Sequence, residues 1–68
     1  MTFNEAKKQA LNPQAFLPGE TWMVKDSATN RPIEGARSEA AALKAASVLN
    51  EHETRNGRPA VYVAEGLE

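Results

Sequence analysis

The chain has 68 residues, no cysteine, and a formal charge of −1 from 8 Lys plus Arg against 9 Asp plus Glu. That length allows one small domain, which buries only about 60% of its unfolded surface and is marginal on its own. Disulfides and thiolate metal sites are excluded, the single His52 cannot build a zinc site, and the even charge balance lacks the basic excess of nucleic-acid binders.

Residues 2–12 carry a helix signature. Thr2 stands three positions before Glu5, a capping-box pattern, and Phe3, Ala6, Ala10 and Leu11 recur at roughly helical spacing. Asn12-Pro13 either ends this helix or opens a second short turn, with Asn12 as cap and Pro13 in the first helical position. Phe16 and Leu17 then anchor the arm to the body. After the Pro18-Gly19 turn, a strand runs from Thr21 to Asp26. Its alternation puts Trp22 and Val24 on one face and Thr21, Met23 and Lys25 on the other. The polar turn Ser27–Asn30 leads into a returning strand, Arg31 to Gly35, with Ile33 as its core residue. Pro32 lacks the ladder N–H and assigns this strand to a sheet edge.

Ser38 is the best-marked helix start: it offers a side-chain acceptor to the first turn, and Glu39 complements the helix dipole. The helix spans Glu39–Glu53, with Ala42, Leu43, Ala46 and Leu49 as its buried stripe. Asn56-Gly57 stops it and Pro59 prevents it from resuming. The last strand covers Ala60–Ala64, with Val61 and Val63 on one face and Ala60, Tyr62 and Ala64 on the other.

These elements predict an α+β domain: a short N-terminal helix, then β-β-α-β. The sheet is antiparallel and three-stranded in the order 2-1-3, with the main helix on one face. Trp22, Val24, Val61 and Val63 are expected under the helix. Met23, Lys25 and Tyr62 are expected on the opposite face, which the N-terminal arm covers only in part. An uncovered sheet face and its edges invite a second copy of the chain or another protein. The expected form is a homodimer, and the expected protein interface is Met23, Lys25 and Tyr62, with Arg31 and Arg58 at its ends.

No set of residues announces catalysis, a cofactor or a metal. Glu51, His52 and Glu53 are sequential on a helix and point in different directions, so they read as a solvated helix end. Ser27, Ser38 and Ser47 have no base-plus-orienter set. Asp26, Asn30 and Glu34 lack calcium-loop spacing and read as a hairpin turn. Arg31, Arg37, Arg55 and Arg58 flank the ends of the hairpin and helix, and with Lys25 and Tyr62 they sketch a nucleic-acid platform.

Three runs carry a family resemblance: Trp22-Met23-Val24-Lys25-Asp26, Asn30-Arg31-Pro32-Ile33-Glu34-Gly35, and Ser38 through Leu49-Asn50 with its spaced alanines. Together they resemble a loosely related set of short proteins encoded by phages, prophages and bacteria. The resemblance covers about residues 21–64 and implies fold and phage-like provenance. The resulting expectation is a non-enzymatic accessory protein that binds another protein, inhibition of a host or defence factor being one form of this. The alternative is a nucleic-acid-binding accessory factor working through the arginines. With no apolar run of signal-peptide or transmembrane length, the expected location is the cytoplasm, that of the host cell if the chain is phage-encoded.

Overall fold

The computed structural model describes residues 1–68. Helix α1 (Phe3–Gln9) opens the chain, and a 3-10 turn follows at Pro13–Ala15. Strands β1 (Trp22–Asp26) and β2 (Arg31–Ala36) come next, then helix α2 (Glu39–Arg55) and strand β3 (Tyr62–Gly66). The sheet order is β2-β1-β3, antiparallel throughout. The expected fold class and strand order hold.

Local chemistry accounts for the element ends. Thr2 and Glu5 form the capping box, and the hydrogen bonds from Thr2 hold the Glu5 carboxyl below the ordinary carboxylate range. The Asn12 side chain accepts from the Gln14 N–H at the proline-led 3-10 turn, and the Ser38 hydroxyl accepts from the Ala41 N–H. Asp26 Oδ1 accepts from the Ala28 N–H at 2.8 Å, and Asn30 takes the left-handed conformation (φ 61°) that returns the chain into β2. Gly57 (φ 74°) ends α2 in the same backbone region.

Two small cores lie on opposite faces of the sheet. On one, Ala42 and Ala46 of α2 close on Val24 and Ala36, with Trp22, Leu49, Tyr62 and Ala64 packed around them. On the other, Ala6 and Ala10 of the arm close with Phe16 on Met23, joined by Met1, Phe3 and Leu67. The Phe3 and Phe16 rings meet edge-on, with centroids 6.1 Å apart. Each helix presents alanines to the sheet, which lets it lie close. Gly35, opposite Met23, serves the same end: a Cβ there would overlap the Glu20 carboxylate and press on Phe16.

Three expectations need correction. First, the sheet face opposite α2 is not open at Met23: the arm covers that side chain completely, at 0% exposure. Second, the faces of β3 are reversed. The register Trp22↔Gly66, Val24↔Ala64 and Asp26↔Tyr62 puts Tyr62 and Ala64 on the α2 face and Val63 opposite Lys25 on the arm face. The small Ala64 and Gly66 leave room for the Trp22 ring beneath the close helix, which bulky valines would not. The strand also begins two residues later than expected, at Tyr62 instead of Ala60. Third, Leu43 and Leu17 are 54% and 55% exposed, so neither joins a core, whereas Ala45 joins the rim of the α2 core. Pro32 is fully buried and Ile33 only half-buried, because the β1–β2 register shifts between Val24 and Lys25 and displaces the alternation of β2.

Burial of Met23 predicts that Met23→Ala lowers stability by about 2–5 kcal/mol. Thermal or urea denaturation measures this. A loss below about 0.5 kcal/mol, the size of an ordinary surface substitution, would contradict the closed arm.

Candidate functional site

The edge of β3 carries the most distinctive chemistry on the surface. Ser27 N–H donates to the Val61 carbonyl at 2.9 Å and Leu67 N–H to the Thr21 carbonyl at 2.8 Å. With the Val24↔Ala64 register, these bonds make the odd-numbered residues of β3 the ones that face β1. The N–H and C=O groups of Tyr62, Ala64 and Gly66 therefore point outward, at the end of the sheet.

Two devices occupy the ends of this outer edge. The Asn50 side-chain amide reaches from α2 and makes both bonds that another strand would make at Tyr62. Its Nδ2 donates to the Tyr62 carbonyl at 2.9 Å, and its Oδ1 accepts from the Tyr62 N–H at 2.9 Å. Beyond the other end, the Met1 carbonyl accepts from the Glu68 N–H at 3.0 Å, and the Met1 amino group lies 3.5 Å from the Glu68 carboxylate. Between them Ala64 and Gly66 are left with outward backbone groups. Capping an edge in this way limits unwanted strand pairing.

Beside this window lies an open groove of about 470 Å³ between α2 and β3. Leu43, Ala46, Ser47 and Asn50 form its helix wall, and Tyr62, Val63 and Ala64 its strand wall. Leu43 is half-exposed here with no core to fill. Val63, on the arm face of the same edge, is 39% exposed. Next to it Lys25 Nζ donates to Glu65 Oε1 and Asn30 Oδ1 at 2.6 and 2.9 Å.

The residues singled out from the sequence do not assemble into one surface. Met23 is core, Lys25 is tied to Glu65 with its side chain 18% exposed, and Tyr62 is half-buried under α2. Arg31 lies across from Asp26, at the far end of β2 from Arg37. Arg55 pairs with Glu51 and Arg58 with Glu53, so two of the four arginines in the nucleic-acid platform are neutralised within α2 and its exit. Their hydrogen-bonded pairing holds the Glu53 carboxyl below its ordinary range and raises Arg58. His52 sits exposed on α2 with Nε2 3.5 Å from Asn56 Nδ2. Ser38 serves as the α2 cap. No group of three or more His, Cys, Asp and Glu residues gathers in a metal-holding geometry, and no helix is long and apolar enough to cross a membrane.

Asn50 was visible in the sequence only as the end of the Leu49-Asn50 motif. Its edge-capping role depends on α2 and β3 running side by side, which no local pattern displays. Comparison with protein-family models, curated proteins and solved structures finds no match to this chain.

Two outcomes follow. Asn50→Ala leaves the Tyr62 backbone pair without its partner, for an expected loss of about 1–3 kcal/mol in denaturation. It also lengthens the free edge, so size-exclusion chromatography should show more self-association than in the parent chain. For Glu53, the depressed folded pKa means its contribution is fully present above the unfolded carboxylate value and is lost as pH falls through the folded value. Side-chain NMR titration should find Glu53 below ordinary glutamates, and Arg58→Ala should move it upward; no movement would disconnect the pair.

Proposed function

We propose that this chain is a small non-enzymatic accessory protein that acts by binding another protein through the α2–β3 groove and the adjoining strand edge. The observation that carries this reading is the pairing of exposed Leu43 with the outward backbone of Ala64 and Gly66. An apolar wall beside free strand donors and acceptors is the surface that peptide-binding sheets present. Phage or prophage provenance, and inhibition of a host or defence factor as the form the binding takes, extend this proposal on the strength of the Trp22–Val24, Gly35 and Leu49-Asn50 motif resemblance.

The homodimer expectation drew on an open sheet face. With the arm seated on Met23, the proposed working form is a single chain that offers its β3 side to a partner.

The test is affinity capture from host lysate with the parent chain and a Leu43→Asp variant, identifying retained protein and nucleic acid. Leu43 is an exposed helix residue, so the variant should keep its circular-dichroism signal and melt within about 0.5 kcal/mol of the parent. A protein retained by the parent and lost on the variant is the expected result. Retention of nucleic acid alone, or a protein held equally by both, overturns the groove assignment.

A further inference from the structure

We infer that the β3 edge takes an extended peptide segment of a partner protein as an added strand, and that it selects a short apolar–basic–apolar sequence. This rests on the protein-binding reading above and specifies its mode and chemistry.

The window is short. Asn50 fills the outer bonding position at Tyr62, and Met1 fills the one at Glu68. Only Ala64 and Gly66 remain, so an added antiparallel strand forms its hydrogen-bonded pairs with those two residues. This decides between occupants. A second copy adding its own β3 antiparallel about Glu65 would align Ala64 with Gly66 and Tyr62 with Glu68. Both alignments with Glu68 run into Met1 and the Asn50 cap, and Glu65 would face Glu65 of the copy. A strand built into a sheet cannot bend away after three residues. A partner's loop or tail can.

The alternation of a strand then assigns the peptide's side chains. The two residues opposite Ala64 and Gly66 point to the α2 face, the first over the groove walled by Leu43 and Ser47 and the second beside the Trp22 ring. Ala64 is small and borders the groove, which leaves volume there for a branched apolar side chain, while the Trp22 ring offers an apolar contact at Gly66. The middle residue lies opposite Glu65 on the arm face, beside exposed Val63. Glu65 gives Oε1 to Lys25 and remains 39% exposed. Glu68, further along the same edge, is paired with the Met1 amino group, which leaves Glu65 as the carboxylate that faces the middle position. A Lys or Arg at the middle position lies directly across from the half-exposed Glu65 carboxylate, and opposite charges at such a position of a strand pair are favourable.

The probe is an acetylated, amidated pentapeptide Ser-Val-Lys-Val-Ser, titrated into the full ¹⁵N-labelled chain. Its controls are the same peptide with Glu for Lys and the same peptide N-methylated at both valines. Amide shifts should concentrate at Ala64, Gly66, Leu43 and Ser47. The Glu peptide should bind about five-fold more weakly through lost and reversed cross-strand charge. N-methylation should weaken binding about ten-fold or more, because it deletes backbone donors to the edge.

Equal affinity for all three peptides overturns the proposal, as do shifts centred on Val48 or the arm, or no shift at roughly 5 mM, a concentration that detects even millimolar affinity. Concentration-dependent shifts at Ala64 and Gly66 without peptide would assign the edge to a second copy and overturn the chosen occupant. The two readings fail separately. A captured protein that depends on Leu43, with no peptide response, removes strand addition and leaves protein binding; absence of both removes both.

Discussion

Everything in this molecule depends on β1 being buried from both sides. Met23 and Val24 are neighbours in sequence, point to opposite faces, and both are at 0% exposure. One is closed over by the alanines and Phe16 of the N-terminal arm, the other by the alanines of α2. Only 9 of 68 residues are buried, so each core is a handful of side chains and neither has slack. Fully burying one such side chain contributes about 1.5–3 kcal/mol, a large share of what a domain this small can accumulate. The central strand thus couples two thin layers that would not persist separately.

That coupling moves the proposed binding site from the face of the sheet to its end. Once both faces of β1 are occupied, the backbone groups without partners lie on the outer strands. The outer strand β2 carries Pro32, which lacks a donor. On β3 the protection is discontinuous: a side-chain amide at Tyr62, a main-chain carbonyl beyond the strand at Glu68, and nothing between. The apolar groove beside that gap is a consequence of the same packing. Helix α2 closes on Val24 and Ala36 through Ala42 and Ala46, so its next side, with Leu43 and Ser47, is left to wall the groove along β3.

The capped ends and turns were legible in the sequence: Thr2 with Glu5, Asn12 with Pro13, Ser38, and Asn56-Gly57. Each is a contact between residues two to four apart, set by short-range geometry. The faces of β3 were not legible. Side-chain direction has a period of two, so a one-residue slip in register exchanges the faces, and a run such as Ala60-Val61-Tyr62-Val63-Ala64 reads plausibly either way. Burial of Met23 had a signal that alternation alone overrode. Trp22-Met23-Val24 is a continuous apolar run, and such runs mark strands covered on both sides.

The sequence by itself determined the elements, their order and the antiparallel arrangement of the sheet, because propensity, caps and turn residues act within a few positions of one another. Only the tertiary structure decided which face holds Tyr62, that Met23 is core, that Leu43 is not, and that Asn50 guards an edge. Those outcomes depend on how closely an alanine-faced helix approaches a sheet and on which strand residue lies across from Trp22. Both are settled by volume and register between segments far apart in the chain, where residue type constrains the sum of the packing but not its arrangement.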